Sequence, residues 1–279
     1  MKKYAYFNGE IIPEDDIVIS HRDLGFLRGY GVMDAMKTVG RKSFLIKEHF
    51  NRLEDGVEAL NLKLPINLQE FNNIIDALLG KSGGDNDVAI KTIVTGGHSS
   101  NGLKIDGTPT ILITMNDLDI VSPSKDDYKD GIGIVSAEFQ RAMPITKTTN
   151  YIFALQQQEL KVNAGANEVV YKKDGVLLEG ATSNIFIINK GMIITPSKGI
   201  LMGTMRNFVI DLLGGNGIKV EEREVKFEEL LQADEAFLTG TFKDILPVVR
   251  VDDIIIDSGV VGKVTQDIME AFRQYKNKN

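Results

Sequence analysis

The amino-acid sequence predicts an α/β protein with two domains. Its 279 residues are enough for one large domain or two ordinary ones. Strand-like and helix-like hydrophobic patterns alternate along the whole chain. The polar stretch over residues 116–130, with Pro123, two serines and a run of charges, is typical of a linker. We therefore expect an N-terminal α/β domain over residues 1–117, a linker over 118–130 and a C-terminal domain over 131–279.

The N-terminal half begins with a predicted hairpin. Residues 4–7 and 10–12 flank Asn8-Gly9, a pair that is typical of a tight primed turn. Beyond it, apolar side chains at helical spacing indicate helices, and short apolar runs between turn signals indicate strands. The predicted helices cover residues 28–39, 48–60 and 67–79, and the predicted strands cover residues 88–94 and 110–114.

The C-terminal half shows the same alternation of patterns. Lys190-Gly191 is predicted to turn a second hairpin, and Gly214-Gly215 to end an amphipathic helix. The predicted strands cover residues 133–138, 168–172, 185–188, 192–195, 219–224 and 235–239. The predicted helices cover residues 151–164, 204–213 and 264–275.

Composition and charge argue against several classes of protein. The formal net charge is -7 and no basic face is concentrated, so no nucleic-acid partner is expected. The chain has no cysteine, which excludes disulfides and thiolate metal sites and suits a reducing compartment. His21, His49 and His98 lack metal-ligand spacing, so we expect solvated or core roles for them and no metal. No segment has the pattern of a signal peptide or a membrane span, and the expected location is the cytoplasm.

Two segments contain a lysine and a carboxylate that suit one particular chemistry. Lys147 lies in residues 144–151, and Glu179 lies in residues 178–186, Leu-Glu-Gly-Ala-Thr-Ser-Asn-Ile-Phe. A lysine can form a Schiff base with the aldehyde of pyridoxal 5'-phosphate, and a carboxylate can pair with the protonated ring nitrogen, which turns the ring into an electron sink. Taken alone, a lysine is usually a solvated surface group, and a glutamate beside glycine is usually a turn residue.

A phosphate group would need hydrogen-bond donors, and three segments offer them. Residues 201–206 open a predicted helix, whose N-terminus provides free N–H groups and a favourable dipole. Arg52 lies on the predicted helix over residues 48–60, and the hydroxyls and amides of residues 239–242 could form an anion nest. Ordinary explanations stay open at this point, because Thr204 would also serve as an N-cap and Arg52 as a surface arginine.

In this order, the segments resemble the class IV aminotransferases, the fold type IV pyridoxal phosphate enzymes. This group includes branched-chain aminotransferases, D-amino acid transaminases and aminodeoxychorismate lyases. The resemblance covers nearly the whole chain, from Phe7-Asn8-Gly9 to residues 262–265. It implies a smaller N-terminal α/β domain and a C-terminal pseudo-barrel α/β domain that binds the cofactor and carries the catalytic lysine, with the cofactor at the interface. It also implies a homodimer.

The resemblance implies a role for each candidate residue. Lys147 would be the Schiff-base lysine and would move a proton between the substrate alpha carbon and the cofactor C4'. Glu179 would bind the pyridine nitrogen, Tyr151 would approach the ring hydroxyl and Leu201 would pack on the ring. The phosphate would be held by Arg52, Thr241 and the amides of Thr204 and Met205. The substrate would meet Met33, Thr241 and Phe242.

Some positions depart from the family's patterns. Met205 stands where the family often has a threonine, and a methionine here is known in the lyase-like branch. Met33 stands where D-amino acid transaminases carry a tyrosine, and residues 97–101 lack the arginine of their Arg-x-His pair. Gly240-Thr241-Phe242 resembles the Gly-Thr-Ala turn with which branched-chain enzymes hold the substrate carboxylate. Phe242 is expected to narrow the pocket there.

The predicted function is therefore a pyridoxal phosphate-dependent transaminase. It would move an amino group between an L-amino acid of the branched-chain type and a 2-oxo acid. An aminodeoxychorismate lyase, which eliminates pyruvate and leaves 4-aminobenzoate, is the alternative, because the lysine, the glutamate and the phosphate cup are shared. A non-catalytic family member that acts as a binding module is the third possibility. Loss of Lys147 or Glu179 would have favoured it, and both are present.

Overall fold

The computed structural model describes residues 3–118 and 122–278, and the chain divides into two compact units. Unit 1 contains residues 3–118 together with residues 146–151, and unit 2 contains residues 122–145 and 152–278. The sequence places Lys147 in the C-terminal domain, whereas the structure packs its segment with unit 1. Of the expected linker, residues 119–121 lie outside the described residues, and residues 125–130 form a helix.

Within residues 3–118, an antiparallel sheet of six strands has the order β2-β1-β6-β5-β3-β4. The strands are β1 (Tyr4–Phe7), β2 (Glu10–Pro13), β3 (Gly31–Val39), β4 (Lys42–Ser43), β5 (Val88–Thr95) and β6 (Thr110–Asp117). The helices are α1 (Leu24–Arg28), α2 (Ile46–Ala59) and α3 (Leu68–Ser82).

The core of unit 1 lies between its two longer helices and the sheet. Phe50 of α2 and Phe71 of α3 meet with their ring centroids 5.4 Å apart. These helices cover the apolar face of β5 and β6, where Ile90 and Ile113 are fully buried. Asn67 starts α3 with a capping box, in which its side chain accepts from the Glu70 amide. The predicted first hairpin and the helices over residues 48–60 and 67–79 are confirmed, with small shifts in their bounds.

The predicted helix over residues 28–39 is wrong, because residues 31–39 form strand β3. This strand pairs with β5 in continuous antiparallel register from Gly31 opposite Thr95 to Lys37 opposite Ala89. Seven of its nine residues are buried, so both of its faces are covered and the alternation typical of a strand is absent. A short, continuously apolar run does not distinguish a buried strand from a helix.

Among residues 122–278, ten strands form a mixed sheet. Nine of them follow the order β12-β11-β10-β14-β15-β7-β8-β9-β13, and β16 pairs with β15. The strands are β7 (Ile132–Glu138), β8 (Glu168–Lys173), β9 (Val176–Gly180), β10 (Asn184–Asn189), β11 (Met192–Pro196), β12 (Val220–Arg223), β13 (Val225–Lys226), β14 (Glu235–Gly240), β15 (Asp244–Val251) and β16 (Ile254–Ile255). The helices are α4 (Lys125–Asp130), α5 (Ile152–Gln156), α6 (Gln158–Asn163), α7 (Thr204–Gly215), α8 (Phe227–Leu231) and α9 (Lys263–Lys278).

The core of unit 2 lies along the central strands. Phe186 of β10 and Phe237 of β14 are opposite each other in register, and their rings stack with centroids 4.8 Å apart. The predicted second hairpin is confirmed by β10 and β11. The predicted helix over residues 151–164 is divided into α5 and α6. Within the described ranges, no helix combines the length and the apolar character needed to cross a membrane.

Candidate active site

Lys147 lies outside regular secondary structure, on a segment that runs along the edge of β3. The Met33 amide donates to the Lys147 carbonyl at 2.9 Å, and the Thr149 amide donates to the Gly31 carbonyl at 2.9 Å. Between these bonds, Val32 and Thr148 form an isolated antiparallel bridge. The lysine backbone is therefore fixed beside Met33, and these bonds are the reason why the segment belongs to unit 1.

The side chain of Lys147 is half-buried and points to a phenol. Its Nζ donates to the Tyr151 hydroxyl at 3.1 Å. Tyr151 immediately precedes α5, so the predicted helix starts one residue later than expected. An amine beside a phenol can attack a carbonyl carbon and can take up or release a proton there. The structure thus places two candidate residues within hydrogen-bonding distance of each other.

Arg52, on α2, is held by a buried carboxylate of β3. Its Nε donates to Asp34 Oδ2 at 2.7 Å and its Nη2 donates to Asp34 Oδ1 at 3.0 Å. His49 Nδ1 lies 2.6 Å from the same Oδ1. Arg52 is therefore not an ordinary surface arginine, since only 13% of its side chain is exposed.

Electrostatics in this cluster favour a carboxylate and a neutral imidazole. Burial raises the pKa of Asp34, but the charge of Arg52 and the interactions with His49 outweigh burial and hold this pKa well below its usual range. Burial lowers the pKa of His49 more than Asp34 raises it, and the charges of Arg52 and Lys147 lower it further. His49 has the core role that the sequence allowed, and its Nδ1–H donates to Asp34.

Glu179, at the end of β9, is a buried carboxylate with a cationic partner. Arg141 donates to its Oε1 from Nε at 2.8 Å, and Arg141 Nη2 lies 2.8 Å from the same oxygen. The Leu201 amide donates to Oε2 at 2.9 Å. Only 7% of the Glu179 side chain is exposed. These contacts are those of a buried acid that faces a cation, and they exclude the alternative of a solvated turn residue.

Leu201 is fixed by two side chains. Besides its amide bond to Glu179, its carbonyl accepts from Asn184 Nδ2 at 2.7 Å. Asn184 is the first residue of β10, and its side chain reaches across to Leu201. Gly203 lies beside Asn184, and a Cβ at residue 203 would collide with Asn184 Oδ1. A side chain at residue 203 would therefore force the Asn184 amide to move.

The N-cap of helix α7 has no side chain that could accept a hydrogen bond from the first amides of the helix. The N-cap is Gly203, so Thr204 is the first helical residue and not the N-cap. Thr204 and Met205 are both buried. Thr239 is paired with Asn184 in the register of β14 and β10, so the two side chains share a face of the sheet. The buried Thr239 Oγ1 has no hydrogen-bond partner within the described part of the chain.

The turn that follows β14 carries Thr241 and Phe242, both half-buried. The Lys243 amide donates to the Gly240 carbonyl at 3.1 Å, and Lys243 Nζ pairs with Glu168 Oε2 at 2.9 Å and donates to the Thr182 hydroxyl. Burial raises the pKa of Glu168, but the charge and hydrogen bond of Lys243 lower it below its usual value. The ion pair thus ties this turn to β8, and the hydrogen bond to Thr182 ties it to the turn after β9.

Sequence reasoning missed the partners of the candidate residues. Asp34, Arg141 and the pair Lys243–Glu168 belong to no motif. A signal existed at Asp34, which is a charged residue inside an apolar run and therefore needs an opposite charge when it is buried. Arg141 carried no comparable signal, because its partner lies 38 residues away.

The donor set fits pyridoxal 5'-phosphate. An amine, a buried carboxylate with a cationic partner and an anchored guanidinium match an aldehyde, a ring nitrogen that must stay protonated and a phosphate. The N-terminus of α7 and the buried, unpartnered Thr239 hydroxyl are further groups that suit an anion. Within the described ranges, no group of three or more metal-ligating side chains is positioned to hold a metal ion.

The mixed α/β architecture and these residues define a protein of the pyridoxal phosphate-dependent transaminase class. The family model for the class IV aminotransferases matches residues 31–251, and the chain belongs to this family. Class IV aminotransferases use pyridoxal 5'-phosphate. The predicted family, the predicted fold class and the predicted cofactor are therefore confirmed.

Individual proteins show the same relationship. A putative branched-chain-amino-acid aminotransferase of Methanocaldococcus jannaschii is 32% identical, and the match covers 98% of this chain and 96% of the relative. A D-alanine aminotransferase of Staphylococcus epidermidis is 24% identical, with 97% of each chain covered. The crystal structure of the Escherichia coli branched-chain amino acid aminotransferase superposes with a TM-score of 0.91 at 24% identity, covering 98% of this chain and 94% of that one. This last similarity shows the fold.

The first prediction concerns the pair between Arg141 and Glu179. Arg141→Met removes the guanidinium from a buried carboxylate, and we expect the free energy of unfolding to fall by about 2 kcal/mol. Urea denaturation measures this change. As a matched control, Lys173→Met breaks the exposed pair Lys173–Glu138 and should change the value by less than about 0.5 kcal/mol. Equal effects of the two substitutions would contradict the importance of the buried pair.

The second prediction concerns pH. Because the pKa of His49 is lowered in the folded protein, acidification below about pH 6.5 protonates this residue in the unfolded chain first. Its contribution to the free energy of unfolding should then decrease as the pH falls, by at most about 1.4 kcal/mol per pH unit. Urea denaturation at pH values from about 8 to about 5, a range that spans the ordinary pKa of histidine, measures this decrease. The free energy of unfolding of His49→Gln should depend less steeply on pH than that of the wild type. His98→Gln, at an exposed position, is the control, and equal pH slopes in the two variants would contradict the special role of the buried His49.

Proposed function

We propose that this protein transfers an amino group from an L-amino acid with a branched-chain or similar apolar side chain to a 2-oxo acid. The observation that carries the proposal is Glu179, a buried carboxylate with Arg141 on one oxygen and a backbone amide on the other. A carboxylate held in this way suits a permanently protonated ring nitrogen. The similarity to the archaeal branched-chain-amino-acid aminotransferase supports the substrate class.

Lys147 is proposed as the catalytic lysine. Its amine would hold the cofactor by condensing with the aldehyde, with loss of water, and the amine of the incoming donor would displace it. The freed Lys147 amine would then take the proton from the donor's alpha carbon and carry it to the C4' position. Its hydrogen bond to Tyr151 supports this role, because the phenol orients the amine.

Glu179 is proposed to hold the proton on the ring nitrogen. Pyridoxal phosphate supplies an electron sink that stabilises negative charge at the alpha carbon, and it does so best when its nitrogen is protonated. A carboxylate that stays ionised favours that proton through a charge-assisted hydrogen bond. Arg141 supports this assignment, since its guanidinium lies 2.8 Å from Glu179 Oε1.

The remaining candidate residues are proposed to bind and orient. Tyr151 would donate to the ring hydroxyl, and Leu201, fixed by Glu179 and Asn184, would pack on the ring face. The phosphate would be bound by Arg52, Thr241 and the amides of Thr204 and Met205. The first-turn amides of α7 support this, because a helix N-terminus favours an anion.

Met33, Thr241 and Phe242 are proposed to contact the substrate. Met33 is half-buried, and its backbone amide donates to the Lys147 carbonyl, so its side chain begins beside the Lys147 backbone. Phe242 is large for a residue in a turn that would surround the substrate carboxylate, and it would limit the size of the donor. We also propose that the protein acts as a homodimer in the cytoplasm. The exposed apolar side chains of Val18 and Phe26, 79% and 73% accessible, support a partner surface on unit 1.

The third prediction tests the covalent step. Borohydride reduction of the yellow protein should attach the cofactor to Lys147, and peptide mapping should find the label there. Lys147→Ala should fold and take up no reducible cofactor, and its turnover should fall by at least about 10⁴-fold because the nucleophile and the proton carrier are both lost. Lys198→Ala, at an exposed position, is the control and should behave as wild type. A label on another side chain would refute the assignment.

The fourth prediction concerns the amino donor. L-leucine, L-valine and L-glutamate should bleach the yellow absorbance and yield 2-oxo acids, whereas D-alanine should not. Phe242→Ala should raise kcat/KM for L-phenylalanine relative to L-valine by about tenfold, because a larger side chain then fits.

If L-amino acids cause no change and aminodeoxychorismate yields 4-aminobenzoate, the lyase alternative is correct. A colourless protein that takes up no cofactor would favour a binding module.

A further inference from the structure

Asp34 lies in an unfavourable place for an acid. It is 4% exposed, on a strand that is buried on both faces. A buried carboxylate costs several kcal/mol unless charged and polar partners compensate for the lost water. Arg52 and His49 supply this compensation within unit 1. Nothing in the proposed reaction uses Asp34 or His49 directly, so the cluster calls for an explanation.

Asp34 binds only one edge of the Arg52 guanidinium. Nε and one N–H of Nη2 donate to the two oxygens of Asp34, at 2.7 and 3.0 Å. Nη1 makes no hydrogen bond to any residue of the described ranges. A guanidinium is planar and rigid, so fixing one edge also fixes the direction of the opposite edge. The N–H groups left over can then receive an oxyanion with two oxygens.

His49 fixes the carboxylate itself. Its Nδ1–H donates to Asp34 Oδ1 at 2.6 Å, so this oxygen is bound by His49 and by Arg52 Nη2 together. His49 and Arg52 are three residues apart on α2, and Asp34 lies on β3, so the cluster joins the helix to the strand. The carboxylate can therefore not rotate without breaking contacts to both side chains.

We propose that Asp34 and His49 are positioning residues that hold the Arg52 guanidinium ready to receive the cofactor phosphate. The inference rests on the proposed function, because it takes Arg52 as a phosphate ligand. An anchored arginine loses little side-chain entropy when the anion binds, which increases the affinity. A negative charge beside a phosphate site opposes anion binding through Coulomb repulsion, so positioning and electrostatics predict opposite effects when Asp34 is neutralised.

The experiment measures how strongly the protein prefers a phosphorylated ligand. The apo-protein is titrated with pyridoxal 5'-phosphate and, separately, with pyridoxal, and the ratio of the two dissociation constants gives the phosphate preference. Asp34→Asn should weaken the binding of pyridoxal 5'-phosphate by about tenfold and leave the binding of pyridoxal nearly unchanged. An unchanged or increased phosphate preference would overturn the proposal, because electrostatics alone predicts an increase.

A double-mutant cycle separates positioning from a general loss of structure. In an Arg52→Ala background, Asp34→Asn should leave the phosphate preference unchanged, because there is no guanidinium left to orient. If it still lowered the preference tenfold, Asp34 would act by another route and the proposal would be wrong. Asp23→Asn is the matched control. Asp23 is also buried in unit 1, accepts from the Gly25 amide and two threonine hydroxyls, and should leave the preference as in wild type.

Two further measurements keep the outcome decisive. If Asp34→Asn does not fold, His49→Gln is read in its place and should lower the phosphate preference about threefold, since one of the bonds that fix the carboxylate is weakened. An unchanged preference in that variant would overturn the proposal. If wild-type protein binds pyridoxal 5'-phosphate through Lys147 while Asp34→Asn keeps the preference, only this inference fails. If wild-type protein binds neither ligand, the proposed function fails with it.

Discussion

A buried carboxylate needs a cation, and this requirement shapes the surroundings of the candidate residues in each unit. Asp34 on β3, Glu179 on β9 and Glu168 on β8 are each buried and each paired with an arginine or a lysine. The pairs differ in which member is the candidate ligand-binding residue. Asp34 positions the guanidinium of Arg52, whereas Glu179 is itself positioned by the guanidinium of Arg141. Glu168 binds a lysine next to Thr241. The same physical constraint therefore orients a cation in one place and keeps an anion ready in another.

The pair at Glu179 also decides where the backbone goes. One carboxylate oxygen accepts from Arg141 and the other from the Leu201 amide, while Asn184 binds the Leu201 carbonyl. Leu201 lies three residues before Thr204, the first residue of α7, and Gly203 allows the close approach to Asn184. The carboxylate and the apolar residue are thus linked by a direct hydrogen bond within unit 2, and the short chain from Leu201 to Thr204 connects them to the helix N-terminus. A shift of Glu179 would be passed to each of them.

The sequence motifs contain most of the candidate residues and few of the residues that bind and position them. Lys147, Glu179 and the start of α7 stand in short motifs whose spacing is local, so they could be recognised directly. Strand β3 was mistaken for a helix because burial on both faces removes the alternation that marks a strand, and its identity depends on pairing with β5, more than fifty residues further along the chain. Lys147 is grouped with unit 1 for a related reason, since the backbone hydrogen bonds of its segment to β3 join residues that are more than one hundred positions apart in the chain.

The partners of buried charges form a class that local patterns cannot show. Arg141 is 38 residues from Glu179, and Arg52 is 18 residues from Asp34, so no window of a few residues contains both members of a pair. One half of each pair can still be found in the sequence. An acid inside an apolar run, such as Asp34 between Met33 and Ala35, implies a cation somewhere in the fold, because the free energy of burying the acid alone is too unfavourable. The identity of that cation follows only from the packing of α2 on β3. Motif residues can therefore be found from local sequence, whereas their partners can be found only from the fold. The partners explain why the motif residues keep their geometry.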